Sequence, residues 1–257
     1  REMGGVVADL AKYVVRLVPD GATLHTGPGL LITEVLARLS KHRDLGVHSD
    51  VISDAVVDLV HAGVINGRYK SMSRGRVVAS FAMGTQRLYD AIENNRAFTF
   101  RPIDEVSDPR VLMAQNRMVS IVHGFSVDLT GQVCAEYRNG TQYGGVGSTA
   151  VFHYGAARSP DGRAIVCVPS RNALGETNVK PFLGPLEPVT IPRYETHWVI
   201  TEYGSAYLYG STTRQRAIAL IEIAHPDDRE TLLAQAKELG LVHADQSIRS
   251  RRSYPVD

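Results

Sequence analysis

The run Gly46-Val47-His48-Ser49-Asp50-Val51-Ile52-Ser53-Asp54 decides the fold. It sets a carboxylate, Asp50, at the end of an apolar strand-like segment, just before a helix start marked by Ser53-Asp54. Ser and Asp open helices well because their side-chain oxygens accept the unpaired N–H groups of the first turn. Open α/β sheets place reactive groups at this position, the carboxyl end of a strand. The same alternation recurs on either side. Residues 6–18 have the periodicity of an amphipathic helix and are ended by Pro19-Asp20-Gly21. Residues 22–25 read as a strand, Gly27-Pro28-Gly29 as a tight turn and 30–39 as a helix. Residues 45–48 read as a strand and 54–61 as a helix, with Gly63 suited to its C-terminal end. The apolar run 77–81 has the mark of a strand buried on both faces, and a helix follows over 86–94.

The middle of the chain is richer in β-structure, with strands expected over 118–122, 126–129 and 132–136. The glycine-rich stretch 143–147 leads into a helix reaching residue 157, and 164–168 is another buried strand. Residues 170–192 hold four prolines and four charged residues, which predicts an extended loop. Strands at 198–201 and 205–209 precede closing helices at 212–223 and 229–239, separated by His225-Pro226-Asp227. The expected fold is α/β, an open and mainly parallel sheet with helices on both faces and a β-rich middle segment. The chain reads as one domain over 1–257, with a weakly marked candidate boundary near residues 105–115.

Composition excludes several function classes. The 257 residues are 44% apolar and 21% charged with a net charge of +1, so no strong field invites nucleic acid or a membrane surface. The one basic cluster, Arg249, Arg251 and Arg252, reads as a solvated tail. Cys134 and Cys167 lie in apolar strand-like runs and read as buried free thiols of a reducing compartment, which implies a cytoplasmic protein. No apolar run is long enough to span a bilayer. Arg1 at the start is consistent with a fragment or a processed subunit.

Three places can carry chemistry. Asp50 suits a nucleophile or general base, and equally a loop or capping aspartate. Gly144-Gly145-Val146-Gly147 lets a backbone approach a ligand, with N–H groups at a helix start able to hold an oxyanion or phosphate, or it is a plain turn. It matches neither the dinucleotide fingerprint nor a P-loop. Glu202, after Trp198-Val199-Ile200, either positions a catalytic partner or caps the strand end. The nine histidines show no zinc spacing, and no Gly-x-Ser-x-Gly elbow occurs.

Longer strings carry a resemblance. Asp44-Leu45-Gly46-Val47-His48-Ser49, Val77-Val78-Ala79-Ser80-Phe81, Gly84-Thr85, Leu88-Tyr89-Asp90 and Asn94-Asn95 are part of it. So are Ala114-Gln115-Asn116, Val127-Asp128-Leu129-Thr130-Gly131-Gln132-Val133, Thr201-Glu202-Tyr203-Gly204 and Ile223-Ala224-His225-Pro226-Asp227. Together they resemble the C-terminal half of the acetyl-CoA hydrolase/transferase family, which includes 4-hydroxybutyrate and succinyl-CoA:acetate CoA-transferases. The resemblance implies a CoA-transferase-like catalytic domain whose usual N-terminal α/β half is absent. It therefore implies a second chain supplying that half, and an oligomer. It also implies acyl-CoA and a small carboxylic acid as reactants, with coenzyme A as substrate and product rather than a resident cofactor. A glutamate of the family aligns with Asp50 and passes CoA through an anhydride and an enzyme-CoA thioester. Gly147 is the implied oxyanion donor, and Glu202 aligns with an active-site glutamate. Gly145, Val146, Ser148, Gly27 and Gly29 fall in the implied substrate and CoA-binding loops.

This chain departs from the family pattern at those same places. Asp50 is a methylene shorter than glutamate, which draws its carboxylate back by about 1.5 Å. A displacement of that size can cost about 100-fold in rate. It can also admit a water, with Asp50 as the base of a hydrolase. The family's Gly-Gly-Gln-x-Asp-Phe reads Gly147-Ser148-Thr149-Ala150-Val151-Phe152 here, and Pro28 removes an N–H from the Gly27–Gly29 turn. These changes leave three readings open: CoA transfer, thioester hydrolysis, or a repurposed subunit that keeps the fold.

Overall fold

In a computed structural model, residues 3–138 and 140–248 are described. The basic cluster Arg249, Arg251 and Arg252 lies outside them. In chain order the elements are α1 (Met3–Arg16), β1 (Thr23–His25), α2 (Leu30–Arg38), β2 (Gly46–Val47), β3 (Val51–Ile52), α3 (Asp54–His61), β4 (Val77–Ala79), β5 (Phe81–Ala82) and α4 (Gln86–Ile92). Then come β6 (Phe98–Phe100), α5 (Ile103–Val106), α6 (Pro109–Ala114), β7 (Met118–His123), β8 (Ser126–Asp128), β9 (Val133–Cys134), β10 (Tyr137–Arg138), β11 (Thr141–Gln142) and α7 (Thr149–Arg158). The last are β12 (Arg163–Cys167), β13 (Val179–Lys180), β14 (Trp198–Thr201), β15 (Gly204–Tyr207), α8 (Thr213–Ile223) and α9 (Arg229–Glu238).

The chain divides into two compact units and crosses between them at residues 13–14, 122–123, 147–148 and 164–165. One, here the N-proximal unit, comprises residues 14–122 and 148–164; the other, C-proximal, comprises 1–13, 123–147 and 165–257. Three of these crossings fall inside α1, β7 and β12, and the fourth follows the glycine-rich stretch 143–147.

In the N-proximal unit, β1 pairs in parallel with β2 on one side and β7 on the other, with Thr23 opposite Gly46 and Met118. Residues Thr23–His25, Gly46–Val47 and 118–122 are all buried, as expected of parallel strands covered on both faces. Parallel pairs β3–β5 and β4–β6 extend this arrangement. The helix α7 packs Phe152 and Ala156 into a core with Val78, Val106, Leu112 and Met118. Val151, where the family pattern has an aspartate, packs against the same cluster.

In the C-proximal unit β12 pairs in parallel with β14, and β15 returns antiparallel along β14. β8 carries β13 in parallel and β9 antiparallel. The expected β-rich middle is therefore present, and parallel pairing dominates the α/β fold. A capping box of Thr212 and Gln215 starts α8 at its expected place.

Four local expectations are corrected. Asp50 is followed not directly by a helix but by β3, because Val51-Ile52 finds a parallel partner in Phe81-Ala82. The run 77–81 breaks at Ser80, and Phe81 is exposed rather than buried. Ser53 stands at the N-cap of α3 without a side-chain cap bond, while the Asp54 carboxylate accepts from the Thr85 N–H at 2.9 Å and hydroxyl at 2.7 Å. The loop 170–192 contains β13, recruited by pairing with β8. The two thiols are free and buried as expected, and burial pushes the Cys167 thiol up.

Lys70 is 1% exposed and, among the described residues, has no carboxylate hydrogen-bond partner. Its ammonium donates to the Val47 and Arg76 carbonyls, each at 2.8 Å, which ties β2 to the residue before β4. Burial lowers its pKa to about 7. The unfolded chain, with an ordinary lysine near 10.5, binds more protons between these values, so this group makes stability rise with pH from 7 to about 10.5. Lys70→Met is expected to lose that rise, on the order of a few kcal/mol, in urea unfolding curves at pH 7 and 10. Parallel pH profiles for the two proteins would contradict the assignment.

Candidate active site

The N-proximal unit assembles a polar cluster at the carboxyl ends of β1 and β2. Beyond β2 the chain runs through His48 and Ser49 to Asp50. The Ser49 hydroxyl donates to the Thr26 carbonyl at 2.7 Å and accepts from the Thr26 N–H at 3.2 Å. This double link fixes the end of β1, and with it the start of the Gly27–Gly29 turn, against the residue preceding Asp50. The Asp50 carbonyl accepts from the N–H groups of Ser80 at 2.9 Å and Phe81 at 3.0 Å, which anchors its backbone from the other side.

The Asp50 side chain is about one-fifth exposed. Its Oδ1 accepts from the Val51 N–H at 2.7 Å and lies 3.5 Å from His25 Nε2. Its Oδ2 accepts from the Ser148 hydroxyl at 2.6 Å. Burial pushes the carboxyl pKa up, but the His25 contact, the Ser148 hydroxyl and the Val51 N–H outweigh it and hold the pKa at about 2. The group is therefore ionised at neutral pH.

His25 is the residue that sequence reasoning missed. Its ring stacks on Phe152 with centroids 4.0 Å apart and planes 10° apart, and its Nδ1 meets Ser120 Oγ at 2.9 Å. One signal was available: His25 ends the expected strand 22–25, and the next strand along the chain leads to Asp50. Beneath the cluster, His48 is fixed by the Val106 carbonyl at 2.8 Å from Nε2 and Gln115 Nε2 at 3.2 Å from Nδ1. Burial lowers its pKa to about 4, so it is a neutral structural imidazole.

The structure thus brings together Asp50 and Ser148, two of the expected site residues. Gly29 starts α2 with φ +112. Gly147 has φ +57, a left-handed backbone that favours glycine. A Cβ on Gly27, Gly29, Gly144 or Gly145 would meet nothing within 4 Å, so packing does not require glycine there. Gly145, Val146 and Gly147 belong to the C-proximal unit, where Val146 is exposed.

Glu202 is also in the C-proximal unit, at the carboxyl end of β14. Its carboxylate accepts from the Ser170 N–H at 2.9 Å and hydroxyl at 2.5 Å. Ser170 follows β12, the parallel neighbour of β14, so Glu202 ties the ends of adjacent strands. A cavity of about 470 Å³ in this unit is lined by His123, Phe125, Arg138, Arg171, Asn178 and Lys180 among others, but by none of the expected site residues. Two of its cations are already paired, Arg171 with Asp228 and Lys180 with Glu187. Among the described residues no group of three or more His, Cys, Asp or Glu side chains could hold a metal ion. Nor, among them, is any helix long and apolar enough to cross a membrane.

Comparison with known proteins places this geometry. The sequence profile of the acetyl-CoA hydrolase/transferase C-terminal domain matches residues 84–236. The chain is 42% identical over 238 residues to a 4-hydroxybutyrate coenzyme A transferase of Clostridium kluyveri, covering 92% of this chain and 56% of that protein. It is 41% identical over 233 residues to a succinyl-CoA:acetate/propanoyl-CoA:succinate CoA transferase of Fasciola hepatica, covering 90% and 48%. The structure superposes on RipA from Yersinia pestis with a TM-score of 0.88 at 37% identity, covering 94% of this chain and 55% of that one. It superposes on 4-hydroxybutyrate CoA-transferase from Porphyromonas gingivalis with a TM-score of 0.81 at 34% identity, covering 91% and 56%. The chain spans about half the length of these relatives.

The depressed pKa of Asp50 is also a statement about stability. A carboxylate at about 2 in the folded chain and 3.8 in the unfolded one stabilises the fold above pH 4, and the contribution is lost as pH falls through 2. The amount is about 2 kcal/mol. Asp50→Asn is expected to remove most of this acid-side loss, measured as urea unfolding free energies at pH 5 and pH 2. Equal losses in both proteins would show that Asp50 is not held as described.

Proposed function

The chain belongs to the acetyl-CoA hydrolase/transferase family, and from that premise we propose that it moves coenzyme A between carboxylic acids through the carboxylate of Asp50. Asp50 attacks the thioester carbonyl of an acyl-CoA. The C–S bond breaks, CoA leaves as a thiolate, and an acyl–aspartyl anhydride remains. The thiolate then attacks the aspartyl carbonyl, the anhydride C–O bond breaks, and the first carboxylate departs. A second carboxylate attacks the aspartyl-CoA thioester and reverses the two steps, leaving as the new acyl-CoA. Each step exchanges one nucleophile for one leaving group, so no net proton moves. The resemblance implies the backbone N–H of Gly147 as the oxyanion donor, while Glu202 joins the ends of β12 and β14 within its own unit. Coenzyme A is substrate and product; the scheme needs no metal and no resident cofactor.

The observation that carries this reading is the state of Asp50. It is ionised at neutral pH and sits at the carboxyl end of a parallel strand with part of its side chain open to solvent.

The half-length match supports a second α/β half, on the same polypeptide or another, that completes the site within an oligomer. Phe81 stands beside Asp50 through its N–H contact to the Asp50 carbonyl, Met83 bonds to the Ile52 carbonyl, and both side chains are about half exposed. Apolar side chains in that position suit a covering partner or the acyl chain of the substrate.

The test is thiol release and product mass from a panel of acyl-CoAs, with and without a carboxylate acceptor, on the intact protein and on Asp50→Ala. New acyl-CoA that needs the acceptor and falls by at least about 100-fold in Asp50→Ala is the expected result. Acceptor-independent thiol release lost in Asp50→Ala would replace transfer by hydrolysis. Silence across the panel would point to a repurposed subunit.

A further inference from the structure

Two of the places where this chain departs from the pattern of its family are in direct contact. Asp50 stands where the resemblance implies glutamate, and Ser148 where it implies glycine. They are 98 residues apart in sequence, and yet the Ser148 hydroxyl donates to Asp50 Oδ2 at 2.6 Å. Asp50 has a carboxylate drawn back by one methylene. Ser148, the residue preceding α7, adds a Cβ and a hydroxyl on the Oδ2 side of that carboxylate. The other groups facing Asp50 are His25 from the end of β1 and the Val51 N–H and Ser49 hydroxyl of its own segment, the last a weak contact at 3.4 Å to Oδ1. All of these reach Oδ1. Ser148 is the donor at Oδ2.

We propose that Ser148 is the positioning residue of this site: its hydroxyl takes up the room left by the shorter acid and fixes Oδ2 of Asp50, so that residues 50 and 148 work only as a matched pair. The proposal rests on the reading of Asp50 as the CoA-carrying group and deepens it. A glutamate at 50 would drive its carboxylate into the Ser148 side chain, so lengthening the acid alone does not rebuild the family site. Glycine at 148 alone leaves the short carboxylate without its Oδ2 donor and free to rotate. The two substitutions together give a long acid facing an open backbone, which is the combination the resemblance implies.

Two measurements test the pair. The first needs no activity. Carbon-13 titration of the Asp50 carboxyl, assigned by its loss in Asp50→Asn, is compared in the parent chain, Ser148→Ala and Ser148→Thr. The carboxyl is expected to titrate higher in Ser148→Ala, towards the ordinary carboxylate range, and to return in Ser148→Thr, which keeps the hydroxyl. The same titration in Ser148→Ala as in the parent would overturn the proposal. The second is acceptor-dependent transfer by the intact protein, Asp50→Glu, Ser148→Gly and the double variant. The double variant is expected to exceed the product of the two single effects by at least about tenfold. Full gain in Asp50→Glu alone, with nothing added by Ser148→Gly, would refute the pairing. Loss of all transfer in every protein would instead sink the functional reading, and the carboxyl titration would still judge the pair.

Discussion

The carboxylate of Asp50 is the constraint around which the N-proximal unit is arranged. A buried charge needs compensation, and here compensation comes from three parts of the chain. β1 supplies His25, held by Ser120 on one edge and Phe152 on one face. The segment of Asp50 itself supplies the Val51 N–H. The residue preceding α7 supplies the Ser148 hydroxyl. The parallel pairing of β1 with β2 and β7 sets His25, Ser120 and the approach to Asp50 at one end of the strands. The Ser49–Thr26 link then locks the two strand ends together. Glu202 and Ser170 repeat the device in the C-proximal unit, where a side chain again joins the carboxyl ends of neighbouring parallel strands.

Much of this was legible in the sequence because it is written locally. The all-apolar runs marked parallel strands and the 3.6-residue periodicities marked helices. Asp50 and Glu202 stood out as candidates because each follows an apolar run, and Gly147 because it ends a glycine-rich one. What stayed hidden depends on contacts between distant residues. His25 gains meaning only from its neighbours across the sheet. Lys70 looks like an ordinary surface lysine until folding buries it between two carbonyls. The break at Ser80 and the strand Val179–Lys180 both depend on partners far along the chain. The Ser148–Asp50 contact is the clearest case: the two departures could be seen one at a time, but not that they meet.

That contact changes how the departures from the family pattern are read. Taken singly, a shortened acid and a lost glycine look like decay of a site. Taken together they are complementary, one withdrawing volume and the other supplying it along with a hydrogen-bond donor. Val151 fits the same view, since the position that loses a carboxylate now packs against the core of Leu112, Met118 and Phe152 instead of leaving a cavity. The site keeps its carboxylate ionised, partly open and supported on each side, which suits the carboxylate chemistry proposed for it.

The most direct test of CoA transfer through Asp50 is to catch the chain in the act. The intact protein, incubated with an acyl-CoA and then reduced with borohydride, is digested and mapped by mass. An aspartyl-CoA thioester would be reduced at the aspartyl carbonyl, so the peptide containing Asp50 should carry a primary alcohol in place of its carboxylate, and only when acyl-CoA was present. Turnover with an unmodified Asp50, or with the label on another side chain, would contradict the account.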